Sequence, residues 1–105
     1  MNKDIDIVIY GATGFTGQLC VKYFQSQSLE IKWAIAGRNL EKLQTVSKNF
    51  APDIEILVAD SDDEAGLKEI CSRSKVVLST AGPFHRYGSK LVKACVENGS
   101  HYVDI

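Results

Sequence analysis

No apolar run in this 105-residue chain reaches the ~20 residues that a membrane-spanning helix needs. The opening Met1-Asn2-Lys3-Asp4-Ile5-Asp6 also lacks the apolar centre of a secretory signal, so the cytoplasm is the expected compartment. Charge of one sign is missing too. Twelve Lys+Arg stand against 13 Asp+Glu, a net charge of -1, which leaves no broad basic field for nucleic acid or an anionic membrane. Any bound anion must be held locally. Cysteine is scarce: Cys20, Cys71 and Cys95 are odd in number, far apart and without a C-x-x-C pair, which argues against a disulfide framework or a zinc site. Each falls on a predicted helix beside apolar residues, the pattern of plain core packing. With 45% hydrophobic and 24% charged residues the composition is that of one ordinary globular domain, not of a disordered segment.

What is present alternates between two kinds of segment. Ile5 to Tyr10 is a short β-branched run ending at a glycine, as a buried strand would be. From Gly14 to about Gln25 the residues Phe15, Leu19, Cys20, Tyr23 and Phe24 recur at helical spacing and are expected to form the apolar face. Ile31 to Ala36 reads as a second strand. Asn39 stands where an N-cap belongs, ahead of the helical stripe Leu40, Leu43, Val46 and Phe50. Pro52 closes that helix region, and Ile54 to Ala59 supplies a third strand. Ser61-Asp62-Asp63-Glu64 fits a capping box for a helix carrying Leu67, Ile70 and Cys71. Val76 to Ser79 is the fourth strand, a helix runs from about Gly88 to Glu97 into the stop Asn98-Gly99, and a fifth strand begins at His101. Strands separated by helices imply right-handed crossovers and a parallel sheet covered on both faces, a Rossmann-type α/β/α fold with strand order 3-2-1-4-5. The last strand reaches Ile105 with no turn or tail after it, so the expectation is one nucleotide-binding domain, 1–105, cut from a longer protein whose substrate domain is missing.

The glycine loop is the strongest local signal. Gly11-Ala12-Thr13-Gly14-Phe15-Thr16-Gly17 places one glycine directly after a strand, one at the helix start and one a turn inside the helix. The first permits a sharp turn, the second clears a path for a pyrophosphate, and the third lets helix and strand approach closely. The free N–H groups and positive dipole end of the helix then face the phosphates. A ligand-free tight turn is the bland alternative, and a glycine costing about 1 kcal/mol inside a helix speaks against it.

The second strand decides which nucleotide. An NAD site places Asp or Glu at its tip to bond the ribose 2′-hydroxyl. Here the tip reads Ala36-Gly37-Arg38-Asn39, and neither Glu30 nor Glu41 sits on it. Arg38 carries a planar donor fork suited to a 2′-phosphate, Lys42 adds a charge one helical turn later, and Gly37 is expected to leave space for the ribose. NADP(H) is therefore favoured over NAD. Asp60 and Ser61 end the third strand, where an adenine ring lies in such folds, although Asp60 serves equally well as a helix cap. Thr80-Ala81-Gly82-Pro83 forms the lip for a nicotinamide ribose, although Gly-Pro is also ordinary loop punctuation.

With this loop and tip, the stretch Ala81-Gly82-Pro83-Phe84-His85-Arg86-Tyr87-Gly88 and the run Leu91 to Gly99 leading into Tyr102-Val103-Asp104-Ile105, the sequence resembles the saccharopine dehydrogenase-like oxidoreductases over nearly its whole length. The resemblance implies an N-terminal NAD(P)-binding domain followed by a larger catalytic and dimerising domain. It does not imply saccharopine chemistry, because relatives with this pattern include some similar to enoyl reductases acting on lipid intermediates and some associated with lipid droplets. A small-molecule or lipid-like substrate, a homo-oligomer and peripheral lipid association of the full protein are consistent with it.

Other active sites are absent or incomplete. Tyr-x-x-x-Lys of the short-chain dehydrogenases is missing, since Tyr87 is followed by Lys90 and Tyr23 by Gln27. No P-loop occurs. Neither histidine joins a metal cluster; His85 is a candidate proton donor or a solvent-facing loop residue, and His101 opens a strand. Tyr87 either lines the pocket or packs over the loop. The catalytic residues are thus not assigned. The leading function is an NADP-dependent oxidoreductase in which this domain orients the nicotinamide for hydride transfer. Two alternatives are a non-catalytic NADP-binding redox sensor and the cofactor domain of an acyl-phosphate reductase. The latter needs a nucleophilic cysteine at a strand end, whereas all three cysteines fall on predicted helices.

Overall fold

The computed structural model describes residues 3–27, 30–80 and 89–104. Five parallel strands run β1 (Ile5–Tyr10), β2 (Trp33–Gly37), β3 (Glu55–Val58), β4 (Ser74–Ser79) and β5 (His101–Asp104), in the order β3-β2-β1-β4-β5. Between them lie α1 (Phe15–Ser26), α2 (Leu40–Phe50), α3 (Glu64–Arg73) and α4 (Ser89–Asn98). The order reverses between β1 and its two neighbours, so the C-terminal end of β1 is the switch point where open α/β sheets take their ligands.

The pleat divides the core in two. Val8, Tyr10, Ala34 and Ala36 point to one face, where they meet Leu67, Ile70 and Cys71 of α3 and Leu91, Ala94 and Cys95 of α4. Ile9 and Ile35 point to the other, against Val21 of α1 and Leu43 and Val46 of α2. Alternate residues of one strand thus bury in opposite layers, which is why residues 7–10 of β1 and all of β2 are apolar.

Helix α1 departs from the expected face. Phe15, Leu19 and Tyr23 are exposed, Phe15 at 81%, while Gly17 and Val21 are buried and Cys20 and Phe24 pack partly. The cause is the rotation imposed by Gly17. A Cβ there would lie 2.7 Å from Ala12 Cα and would collide with the Gly11 carbonyl oxygen, so this side of the helix must face the β1–α1 turn. Residues 15, 19 and 23 are then carried to solvent.

The capping of α3 also differs. Its N-cap is Asp63, whose Oδ1 accepts from the Gly66 N–H at 3.0 Å, whereas the Ser61 hydroxyl donates to Asp60 Oδ1 at 3.2 Å. Three consecutive acceptors precede this helix, and the one followed three residues later by a free N–H takes the role. Asn39 caps α2 as expected, accepting from Lys42 N at 3.0 Å. Helix α4 ends in a paired C-terminal motif: Ser100 N–H reaches Cys95 O at 2.9 Å, Gly99 N–H reaches Val96 O at 3.4 Å, and Gly99 has φ +69°.

Candidate functional site

At the C-terminal edge of the sheet, Gly11 turns the chain away from β1 with φ +84°, a left-handed conformation that side chains resist. Its N–H donates to Ala36 O at 2.8 Å, so the turn is tied to the end of β2. Gly14 N–H then donates to Gly11 O at 3.2 Å, and Gln18 Nε2 donates to Thr13 O at 2.8 Å. From the far side, the Thr80 hydroxyl reaches Tyr10 O at 3.1 Å and Gly11 O at 3.0 Å, while Thr80 N–H donates to Tyr10 O at 2.9 Å. Thr80 therefore holds the glycine turn in place; expected as a lip residue, it is a positioning residue in the described geometry.

Gly14 differs from its two partners. Its φ of -75° suits any residue, and a Cβ there would meet only Gly11 O, at an ordinary 3.6 Å. The chain has room for a side chain at Gly14 and no conformational need for its absence. Gly14 is also the N-cap of α1, yet no side chain caps this helix and no acidic residue stands in its first turn. The first N–H groups of α1 are thus left to an outside acceptor, where Gly14, Phe15 and Thr16 are exposed and Thr13 is half-buried. The donor set and the missing Cβ fit a dinucleotide's pyrophosphate. Ala12 is wholly buried beneath the turn, so it contributes backbone only.

The tips of β2 and β3 lie beside this notch. Gly37 pairs with Val58, and Ala59 N–H donates to Gly37 O at 2.9 Å, which brings Arg38 next to Asp60. Arg38, Asn39, Lys42 and Asp60 are exposed, and Ser61 is half-buried. A Cβ at Gly37 would touch Leu43 at 3.5 Å, so this glycine faces the core and does not open the ribose space expected of it. Lys42 shares a groove of roughly 330 Å³ between α1 and α2 with Thr13, Gln18, Thr45, Asn49 and Phe50. No local pattern singles out Tyr10, whose buried hydroxyl donates to Ala59 O at 2.9 Å and joins β1 to the end of β3. Burial, with the Asp60 charge acting in the same sense and Arg38 opposing it, pushes the Tyr10 phenol up to about 12. Ala81, Gly82, Pro83, His85 and Tyr87 lie outside the described residues.

A glycine turn at a sheet's switch point, an uncapped helix start and a cation at the tip of β2 define a dinucleotide-binding α/β domain. Residues 7–105 match the family described as saccharopine dehydrogenase NADP binding domain, and the chain belongs to that family, with NADP as its cofactor. Among curated proteins it is 38% identical over 106 residues to a trans-acting enoyl reductase of Mycobacterium ulcerans, covering 98% of this chain and 25% of that protein. It is 41% identical over 109 residues to a lipid droplet localized protein of Caenorhabditis elegans, covering 95% and 26%. The chain thus spans about a quarter of the length of these relatives. Among solved structures, apo saccharopine dehydrogenase (L-Glu forming) of Saccharomyces cerevisiae superposes with a TM-score of 0.80 at 20% identity, over 95% of this chain and 21% of that one, a likeness of fold. Among the described residues there is no helix long and apolar enough to cross a membrane and no group of side chains arranged for a metal.

Proposed function

We propose that this chain is the cofactor-binding part of an NADP-dependent reductase whose substrate is held by a further domain. The pyrophosphate rests on the α1 N–H groups against Gly14, between Gly11 and Gly17, with the backbone of Ala12, Thr13, Phe15 and Thr16 shaping the turn. Arg38 pairs with the ribose 2′-phosphate, supported by Lys42 and by the Asn39 cap that orients the start of α2. Asp60 and Ser61 border the adenine, and Thr80, at the end of β4, borders the nicotinamide ribose. NADP supplies the hydride chemistry; the protein residues bind and orient it. The supporting observation is Gly14, where the chain leaves room for a side chain and carries none.

Relatives named as an enoyl reductase and as a lipid droplet localized protein favour an apolar, lipid-like substrate carrying a reducible bond. The test is calorimetric titration of the intact protein with NADPH and NADH. NADPH should bind at least about tenfold more tightly, the effect of one charge-assisted bidentate pair, and Arg38→Ala should abolish that preference. Equal affinity of the unmodified protein for both cofactors would remove Arg38 from the site.

A further inference from the structure

The two cysteines that close the opposite layer are in contact. Cys71 of α3 and Cys95 of α4 are 0% and 1% exposed, and their sulfurs lie 3.4 Å apart. Their separation of 24 positions concealed this, because only the packing of α3 on α4 brings them together. A cation stands close by. Lys3 Nζ donates to Cys71 O at 2.9 Å, Ser74 O at 3.2 Å and Ser100 Oγ at 3.2 Å, and Ser100 Oγ donates to Cys71 O at 2.6 Å. An ammonium thus sits where the C-terminal ends of α3 and α4 converge.

We infer that Cys71 and Cys95 form a peroxide-oxidisable dithiol, a disulfide-forming site that staples α3 to α4. Either sulfur can donate the shared hydrogen bond; with Cys71 Sγ as donor the proton of Cys95 is held less tightly, burial opposing and the Lys3 charge assisting, and the thiolate forms there. Cys71, the donor in that bond and buried, keeps its proton. Cys95 Sγ attacks one oxygen of a hydroperoxide; the O–O bond breaks, the other oxygen leaves with a proton as water or an alcohol, and Cys95 becomes a sulfenic acid. Cys71 Sγ then attacks that sulfur, the S–O bond breaks, and the hydroxyl leaves as water with the Cys71 proton. Two thiols lose two electrons and two protons, and the peroxide bond accepts them. The sulfurs must approach by about 1.4 Å to reach bonding distance. The oxidant is a small hydroperoxide, because both thiols are enclosed.

The bridge closes a loop that contains β4 and Thr80, the residue holding the Gly11 turn, so oxidation restrains the segment on which the glycine loop leans. The experiment treats the intact protein with hydrogen peroxide at a concentration that oxidises the half-buried Cys20, then maps peptides by mass without reduction. A Cys71–Cys95 linked peptide should appear, 2 Da lighter than its two thiols and separated by dithiothreitol, and the thermal midpoint should rise by at least about 5 °C. In Cys71→Ser, dimedone present while the peroxide-treated protein is unfolded in urea should trap a sulfenic acid on Cys95. Two free thiols at these positions while Cys20 is oxidised, or sulfinic acids without a cross-link, would overturn the inference. The linked-peptide readout needs no substitution, so it stands even where Cys71→Ser fails to fold.

Discussion

The two ends of the sheet treat charge in opposite ways. At the N-terminal ends of the strands, Arg73 bridges Asp4 and Glu55 at 2.7 Å each, Lys32 reaches the same two carboxylates at 3.4 and 3.6 Å, and Lys75 meets Asp6 at 3.0 Å. Each of these six charges is answered by the chain itself. At the C-terminal ends, Arg38 and Lys42 form no ion pair among the described residues, and the α1 N-terminus has no acidic partner. The first end is closed by internal ion pairs, whereas at the second Arg38, Lys42 and the α1 N–H groups remain for a bound anion, on an end that also carries Asp60, Asp62 and Asp63. That asymmetry is how a chain of net charge -1 can hold a polyphosphate.

The comparison can be broken at several points. Gly17→Ala should have the largest effect, a loss of about 3 kcal/mol or more or a failure to fold, because the new Cβ meets backbone that cannot move; urea unfolding measures it. Lys42→Ala should weaken NADPH about threefold to tenfold without changing stability, as a singly bonded, solvent-exposed cation would. Tyr10→Phe should cost about 1 kcal/mol through the lost bond to Ala59 O. It should also flatten the alkaline limb. A phenol raised to about 12 in the folded chain stabilises below its unfolded value near 10 and loses that contribution as pH climbs from there toward 12. The smallest effect belongs to the closed end. Arg73 beside Asp4 and Glu55, and the Lys32 N–H with Lys75 beside Asp6, hold these carboxyls below their usual range. Their contribution is therefore present above about pH 4 to 5 and disappears as pH falls below it, and Asp4→Asn should make thermal melts less sensitive to acid.

Much of this architecture is written in local pattern. Short apolar runs such as Ile5 to Tyr10, each followed by a helix-spaced segment, dictate parallel strands and crossovers, and the order β3-β2-β1-β4-β5 follows. Asn39 and Gly99 announce their caps because their roles depend on the residue and its immediate neighbours. Rotation of a helix about its axis is a different kind of information. Phe15, Leu19 and Tyr23 are as periodic as Gly17 and Val21, and only the contact between Gly17 and the turn chooses between the two stripes. Contacts across the fold were equally hidden. Thr80 on Gly11, Tyr10 on Ala59 and Cys71 on Cys95 join residues 69, 49 and 24 positions apart. The start of β2 shifted from Ile31 to Trp33, and the Asp6 carboxylate accepts from the Lys32 N–H at 2.9 Å just ahead of it.

The most direct measurement is the NADPH dissociation constant of Gly14→Ser beside its thermal midpoint. Serine suits the N-cap conformation at this position and can cap α1, so stability should hold or rise by about 0.5 kcal/mol. Affinity should fall at least a hundredfold, because the side chain enters the space of the pyrophosphate and its hydroxyl takes an N–H the phosphate needs. Unchanged affinity in a stable Gly14→Ser protein would contradict the account and put the dinucleotide elsewhere.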